Sequence, residues 1–193
     1  MPYFEYRKFD ENIEYYEILE TLMQRWEYEI VEFKEAKGSY DTDKIGRYFS
    51  AISNEANLRQ QQYGWLIFGV GEQAKEKQVV GTSFKKGDKS ILERFKYEIS
   101  RDTANGMTFY DIIEIFPTVN GKEHRVLMFK IPAAATGIPT DWKTNYYERA
   151  GESLVPLKQY KIDAIRSQER RDWSKQVLEQ AGIEHLDKDA IVL

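Results

Sequence analysis

The sequence predicts a single α/β domain, mixed α+β in arrangement, with one mixed sheet flanked by helices and a helical C-terminal extension. Three observations lead there. The run Trp65-Leu66-Ile67-Phe68-Gly69-Val70 is too short for a helix between its glycines and reads as a central strand buried on both faces. Segments with apolar residues three and four positions apart lie on both sides of it, which is the spacing of amphipathic helices. The second half turns β-rich, with two runs joined through Asn120-Gly121, the dipeptide best suited to positive φ at a hairpin turn.

Each element follows in order. Tyr15, Ile18, Leu19, Leu22, Met23 and Trp26 share one helical face, so a first amphipathic helix is expected. Val31-Glu32-Phe33-Lys34 alternates and stops at the turn-rich Lys37-Gly38-Ser39, the pattern of a short strand. Asp41 or Thr42 is placed to cap a second helix that carries Ile45, Tyr48, Phe49, Ile52 and Ala56 on one side and Asn54 near its end. Gln78-Val79-Val80-Gly81 is a short partner strand, and residues 88–99 form a third helix with Ile91, Leu92, Phe95 and Ile99 inward. Residues 108–116 and 125–131 are the arms of the Asn120-Gly121 hairpin, and residues 145–149 are a further strand closed by Gly151. Residues 157–167 and 173–180 read as helices. The domain is expected over residues 1–167, with 168–193 as the helical extension. The last stretch, Asp187 to Leu193, opens another capped helix and then stops, as expected of an amino-terminal module that leads into a further domain.

Composition narrows the function. The chain has 193 residues, and 28 Lys+Arg against 32 Asp+Glu give a charge of −4, which excludes a strongly basic protein that coats nucleic acid. With 41% hydrophobic and 14% aromatic residues it can build a real core. No apolar run approaches the roughly 18–20 residues of a membrane span, and the start lacks the apolar segment of a secretory signal, so a cytoplasmic location and no membrane partner are expected. There is no cysteine, and the two histidines, His124 and His185, lack ligand company in sequence. Chemistry is left to carboxylates, hydroxyls, Lys and Arg. The charge is uneven: residues 1–35 hold ten acidic and four basic side chains, a balance of −6, and the remainder sums to +2.

Two kinds of site are therefore open. Glu27 at a helix-to-strand junction, Glu32 in the strand, and Glu72 just past the central strand could converge on one divalent ion. Hard oxygen ligands of this kind suit Mg²⁺ or Mn²⁺ and metal-assisted phosphodiester hydrolysis. The alternative is that Glu32 pairs with Lys34 or another base on an exposed strand face. For nucleic acid, phosphate contacts have to come from local basic clusters. One is Lys85, Lys86 and Lys89; another is Lys158, Lys161, Arg166, Arg170 and Arg171, interleaved with acids; Arg149 could add a bidentate contact. Tyr146-Tyr147 offers rings on which bases could stack.

Several of these pieces, taken in order, resemble the Schlafen AlbA-like domain. They are Glu27-x-x-x-Val31-Glu32-Phe33-Lys34, then Tyr48-Phe49-Ser50-Ala51-Ile52-Ser53-Asn54, then Tyr63-Gly64 through Gly69-Val70. The likeness continues in Val80-Gly81-Thr82, in residues 126–132 and in Tyr146-Tyr147-Glu148-Arg149-Ala150-Gly151. The resemblance implies an α/β domain that binds DNA or RNA, placed ahead of further domains in bacterial regulators and ATPase-like proteins. It implies as an alternative a Mg²⁺- or Mn²⁺-dependent endoribonuclease, with Glu27 and Glu32 as the first two acids and Glu72 near the third. Gly71 stands where relatives often place an acid directly after Gly-Val, which favours the binder. A third reading is a module for protein interaction or dimerisation, as a homo-oligomer. No phosphate-binding Gly-x-x-x-x-Gly-Lys-Ser/Thr motif occurs.

Overall fold

The computed structural model describes residues 4–6, 12–24, 29–38, 40–73, 76–87, 89–151 and 153–168. In chain order the helices are α1 (Ile13–Gln24), α2 (Thr42–Leu58), α3 (Lys89–Arg101) and α4 (Gln159–Ser167). The first strands are β1 (Val31–Lys34), β2 (Tyr63–Phe68), β3 (Val70–Gln73), β4 (Glu76–Val79) and β5 (Asp111–Ile115). After them come β6 (Thr118–Val119), β7 (Lys122–Glu123), β8 (Val126–Pro132), β9 (Asp141–Trp142), β10 (Asn145–Ala150) and β11 (Ser153–Pro156). It is a mixed α+β domain, and among the described residues no helix is long and apolar enough to cross a membrane.

The main sheet has the order β1-β2-β8-β5. β1 runs parallel to β2, whereas β8 is antiparallel to both β2 and β5, which makes the sheet mixed. Both faces are covered. Trp65 and Ile67 of β2 join Val31, Phe33, Ile113, Ile115, Val126 and Met128 in a core against Tyr16, Leu19 and Met23 of α1. Leu66 and Phe68 point the other way, with Leu127, Phe129 and Ile131, against Ile45, Phe49 and Ile52 of α2 and Phe95 and Ile99 of α3. The period of two along each strand sorts these side chains to the two faces. A strand buried on both sides has no polar face to show, which is why β2 reads as an unbroken apolar run.

The central strand is shorter than its apolar run. β2 ends at Phe68, because Gly69 adopts φ +96° and turns the chain out of the sheet into the β3–β4 hairpin. Its carbonyl accepts the amides of Val80 and Gly81, both at 2.9 Å. A Cβ at Gly69 would stand 2.7 Å from the Arg125 carbonyl oxygen, so glycine is required both by the torsion and by the close approach. At Asn120-Gly121 the expected hairpin turn forms, with φ of 50° and 74°, between β6 and β7.

β9, β10 and β11 form a separate antiparallel sheet, order β11-β10-β9, laid against α2. Neither β9 nor β11 is announced in sequence, since β9 has two residues and Ser153-Leu154-Val155-Pro156 does not alternate. The helix expected from residue 157 begins instead at Gln159, because the Leu157 amide is still donated to the Tyr146 carbonyl at 3.0 Å. The helix expected over residues 173–180 lies outside the described residues.

Gly69→Ala is expected to lower unfolding free energy by about 2 kcal/mol, from the positive φ and the carbonyl contact together. Equilibrium denaturation of the two proteins checks it; equal stability would mean that the turn accepts a side chain.

Candidate functional site

The acidic positions do not meet around an ion among the described residues. Glu32 alternates with Val31 and Phe33, so its side chain turns to the α2 side of the sheet, where it is 1% exposed. There it is ion-paired with Arg149 of β10 and with Lys34. Arg149 is itself 3% exposed and also donates to the Val31 carbonyl. The pairing of Glu32 with a base is thus present, but in the interior rather than on an exposed strand face. Glu72 is exposed on β3, in register with Lys77 of β4. Glu27 lies outside the described residues. Among those described, no group of three Asp, Glu or His side chains is arranged to hold a metal. The donor set around Glu32 does not fit Mg²⁺ or Mn²⁺, since its oxygens face two cations.

The basic positions divide into two classes. Arg149, expected to face phosphate, is instead committed to Glu32 in the interior. Lys161 is likewise turned inward. Its ammonium bonds Glu55 of α2 and lies 2.9 Å from Glu148 of β10, two carboxylates that are almost fully buried. Burial works against that ammonium, but the hydrogen bonds to Glu55 and Glu148 more than offset it and raise its pKa. Lys158 and Arg166 point outward. The Lys158 side chain is 62% exposed with Glu148 3.9 Å away, and the Arg166 guanidinium carbon lies 6.0 Å from the centroid of the Tyr146 ring. In the other cluster Lys86 is exposed. Lys85 lies over the Phe95 ring at 5.0 Å with Glu98 at 3.8 Å, and Lys89 opens α3. Arg170 and Arg171 lie outside the described residues.

The second half of α2 explains the Ser50 to Asn54 motif. Ser50, Ser53 and Asn54 are fully buried, yet each is satisfied. Asn54 donates to the Thr140 carbonyl at 2.9 Å and accepts the Thr140 amide at 2.8 Å. Ser50 donates to the same carbonyl at 2.7 Å and accepts the Tyr147 amide at 3.1 Å, and Ser53 shares a hydrogen bond with the Thr140 hydroxyl. This polar seam fastens β9 and β10 to the helix.

The first half of α2 holds a surface that sequence reasoning missed. Asp43 accepts hydrogen bonds from the Trp142 indole at 2.9 Å, the Lys143 ammonium at 3.0 Å and Arg47 Nε at 2.8 Å. The indole bond, with those of Lys143 and Arg47, holds the Asp43 carboxyl down at about 2 despite the opposing cost of burial. Trp142 rests directly on Gly46, where a Cβ would overlap the indole. Three cations lie over rings: Lys44 over Tyr40 at 5.9 Å, Arg47 over Tyr147 at 5.6 Å and Lys143 over Trp142 at 5.1 Å. The one local signal was the Asp43-x-x-x-Arg47 spacing, an ordinary helical ion pair. Lys143 comes from a hairpin about a hundred residues away, and its neighbours gave no hint of convergence.

Glu32→Gln should destabilise the domain by about 3 kcal/mol, because it leaves the buried Arg149 guanidinium without its counter-charge. An exposed strand pair would lose well under 1 kcal/mol. Thermal and chemical denaturation distinguish the two.

The chain is similar to the crystal structure of the DIP2311 protein from Corynebacterium diphtheriae, with a TM-score of 0.48 and 17% identity. That likeness covers 72% of this chain, which spans only 24% of the length of the other. No curated protein matches. The model of the family described as Schlafen, AlbA_2 matches residues 27–158, which holds β1, the buried Glu32–Arg149 pair and the Ser50 to Asn54 seam. The chain belongs to the Schlafen, AlbA_2 family.

Proposed function

We propose that this domain binds nucleic acid, DNA or RNA, as one module of a bacterial regulator, and that it is not itself a nuclease. Membership of the Schlafen, AlbA_2 family is the observation that carries the reading. The net charge of −4 requires that any phosphate contact be local. Lys158 at the N-cap of α4 and Arg166 within it are outward cations, and Arg166 lies near a partly exposed tyrosine, a pairing suited to a phosphate beside a base. Lys86 and Lys85 supply a second group. The commitment of Glu32 to Arg149 and Lys34 weighs against its service as a metal ligand, which would require a buried guanidinium to give up this carboxylate.

Lys158→Glu with Arg166→Glu is expected to weaken binding to all sequences alike and to flatten the salt dependence of affinity, since phosphate contacts carry no base information. Titration of labelled DNA and RNA at several salt concentrations measures this. Unchanged affinity would move the contact to Lys85 and Lys86. Incubation of structured RNA with Mn²⁺ is expected to leave the RNA intact; cleavage lost in Glu32→Gln would replace the binder by an enzyme.

A further inference from the structure

We propose that the surface formed by the first half of α2 and the β9–β10 hairpin is a platform for unpaired nucleic acid, with the Arg47 guanidinium as its stacking plane and Lys44 and Lys143 as its phosphate contacts. The inference rests on the nucleic-acid reading above and goes further by naming the strand type and the residues that select it.

The Arg47 guanidinium is held by Asp43 and lies beside the Tyr147 ring. Its Nε and a terminal nitrogen both bond Asp43 Oδ2, at 2.8 and 2.7 Å, and its carbon lies 5.6 Å from the Tyr147 ring centroid. The Tyr147 backbone is anchored, since its amide is bonded to Ser50 and its carbonyl accepts from Asn54 at 3.3 Å. Nevertheless, 49% of the Arg47 side chain is exposed. A guanidinium held by a carboxylate beside a ring, with half of its side chain exposed, is already ordered, so a base that stacks on it meets little further entropy cost. Such stacking is a common way to hold an unpaired base.

The flanking cations have the other half of the task. Lys44 is exposed one turn before Arg47, and Lys143 is 53% exposed beyond Asp43. Lys143 and Thr144 form their turn with φ of 48° and 68°, positive at two residues that are not glycine. The buried Asp141 maintains that turn by accepting the Thr144 amide at 3.1 Å and the Ala104 amide at 2.8 Å. Asp43 neutralises part of the patch, and the Asp41 carboxylate is spent on the Asp43 amide at the cap of α2. What is left is a held guanidinium accompanied by the exposed side chains of Lys44 and Lys143. A duplex hides its base faces and gains nothing from such a plane, whereas a single strand offers bases to it and phosphates to the lysines.

The test uses a labelled mixed-sequence oligonucleotide, single-stranded or annealed to its complement, titrated with the whole chain. The single strand is expected to bind about tenfold more tightly than the duplex. Arg47→Lys keeps the charge and the helical pair with Asp43 but removes the plane, and should weaken single-strand binding about tenfold with duplex binding unchanged. Lys44→Ala and Lys143→Ala should each lower the single-strand salt slope by about 0.7. Thermal unfolding of each variant is expected to match that of the parent chain. If Arg47→Lys and both lysine variants bind the single strand as the parent does, or the duplex is preferred, the platform is refuted while nucleic-acid binding stands. If neither oligonucleotide binds, both readings fall.

Discussion

The attachment of the β9–β10–β11 sheet to α2 depends on one buried asparagine. Asn54 is fully enclosed and satisfies both the amide and the carbonyl of Thr140 while reaching the Tyr147 carbonyl. A loop and an edge of a small sheet bring backbone groups into the interior, and those groups are costly unless each finds a partner. Asn54, with Ser50 and Ser53, supplies the partners. Everything on β10 then takes its place by alternation along the strand. Arg149 reaches Glu32 of β1, Glu148 reaches Lys161 of α4, and Tyr147 lies beneath Arg47.

Two charged networks grow from this placement and have different work. The inner one, Glu32–Arg149 with Lys34 and Glu55–Lys161–Glu148, has its carboxylates and Arg149 buried and locks β1, α2, β10 and α4 together. Buried pairs of this kind add little net stability over an apolar substitute, but loss of one partner is severe, so they fix an arrangement more than they strengthen it. The outer network around Asp43 is half-exposed and orders surface cations without hiding them. The first uses up residues that look functional in a linear reading. The second turns unremarkable ones into a surface.

This division explains what was legible in the sequence. The central strand and its flanking helices were legible, because the unbroken apolar run of β2 and the helical spacing of α1 and α2 are local properties. The Asn120-Gly121 turn was equally local. β9 has too few residues for a period, and the four residues of β11 do not alternate. The inward commitment of Arg149 and Lys161 could not be read either, since their partners Glu32 and Glu55 are over a hundred residues away in the chain. Charged residues in a row of mixed sign look like a solvated face until the fold decides which of them meets a buried opposite charge. The convergence of Asp43, Arg47, Trp142 and Lys143 is hidden for the same reason.

The central claim is our proposal that the first half of α2 and the β9–β10 hairpin carry a nucleic-acid-binding face of the domain. Photo-crosslinking of the chain to an oligonucleotide, with the attachment sites mapped by mass spectrometry, tests it most directly. The account predicts crosslinks within peptides that carry Tyr40, Arg47, Tyr146 and Tyr147. Crosslinks confined to the α1 side of the sheet, around Glu14 and Tyr63, would contradict it.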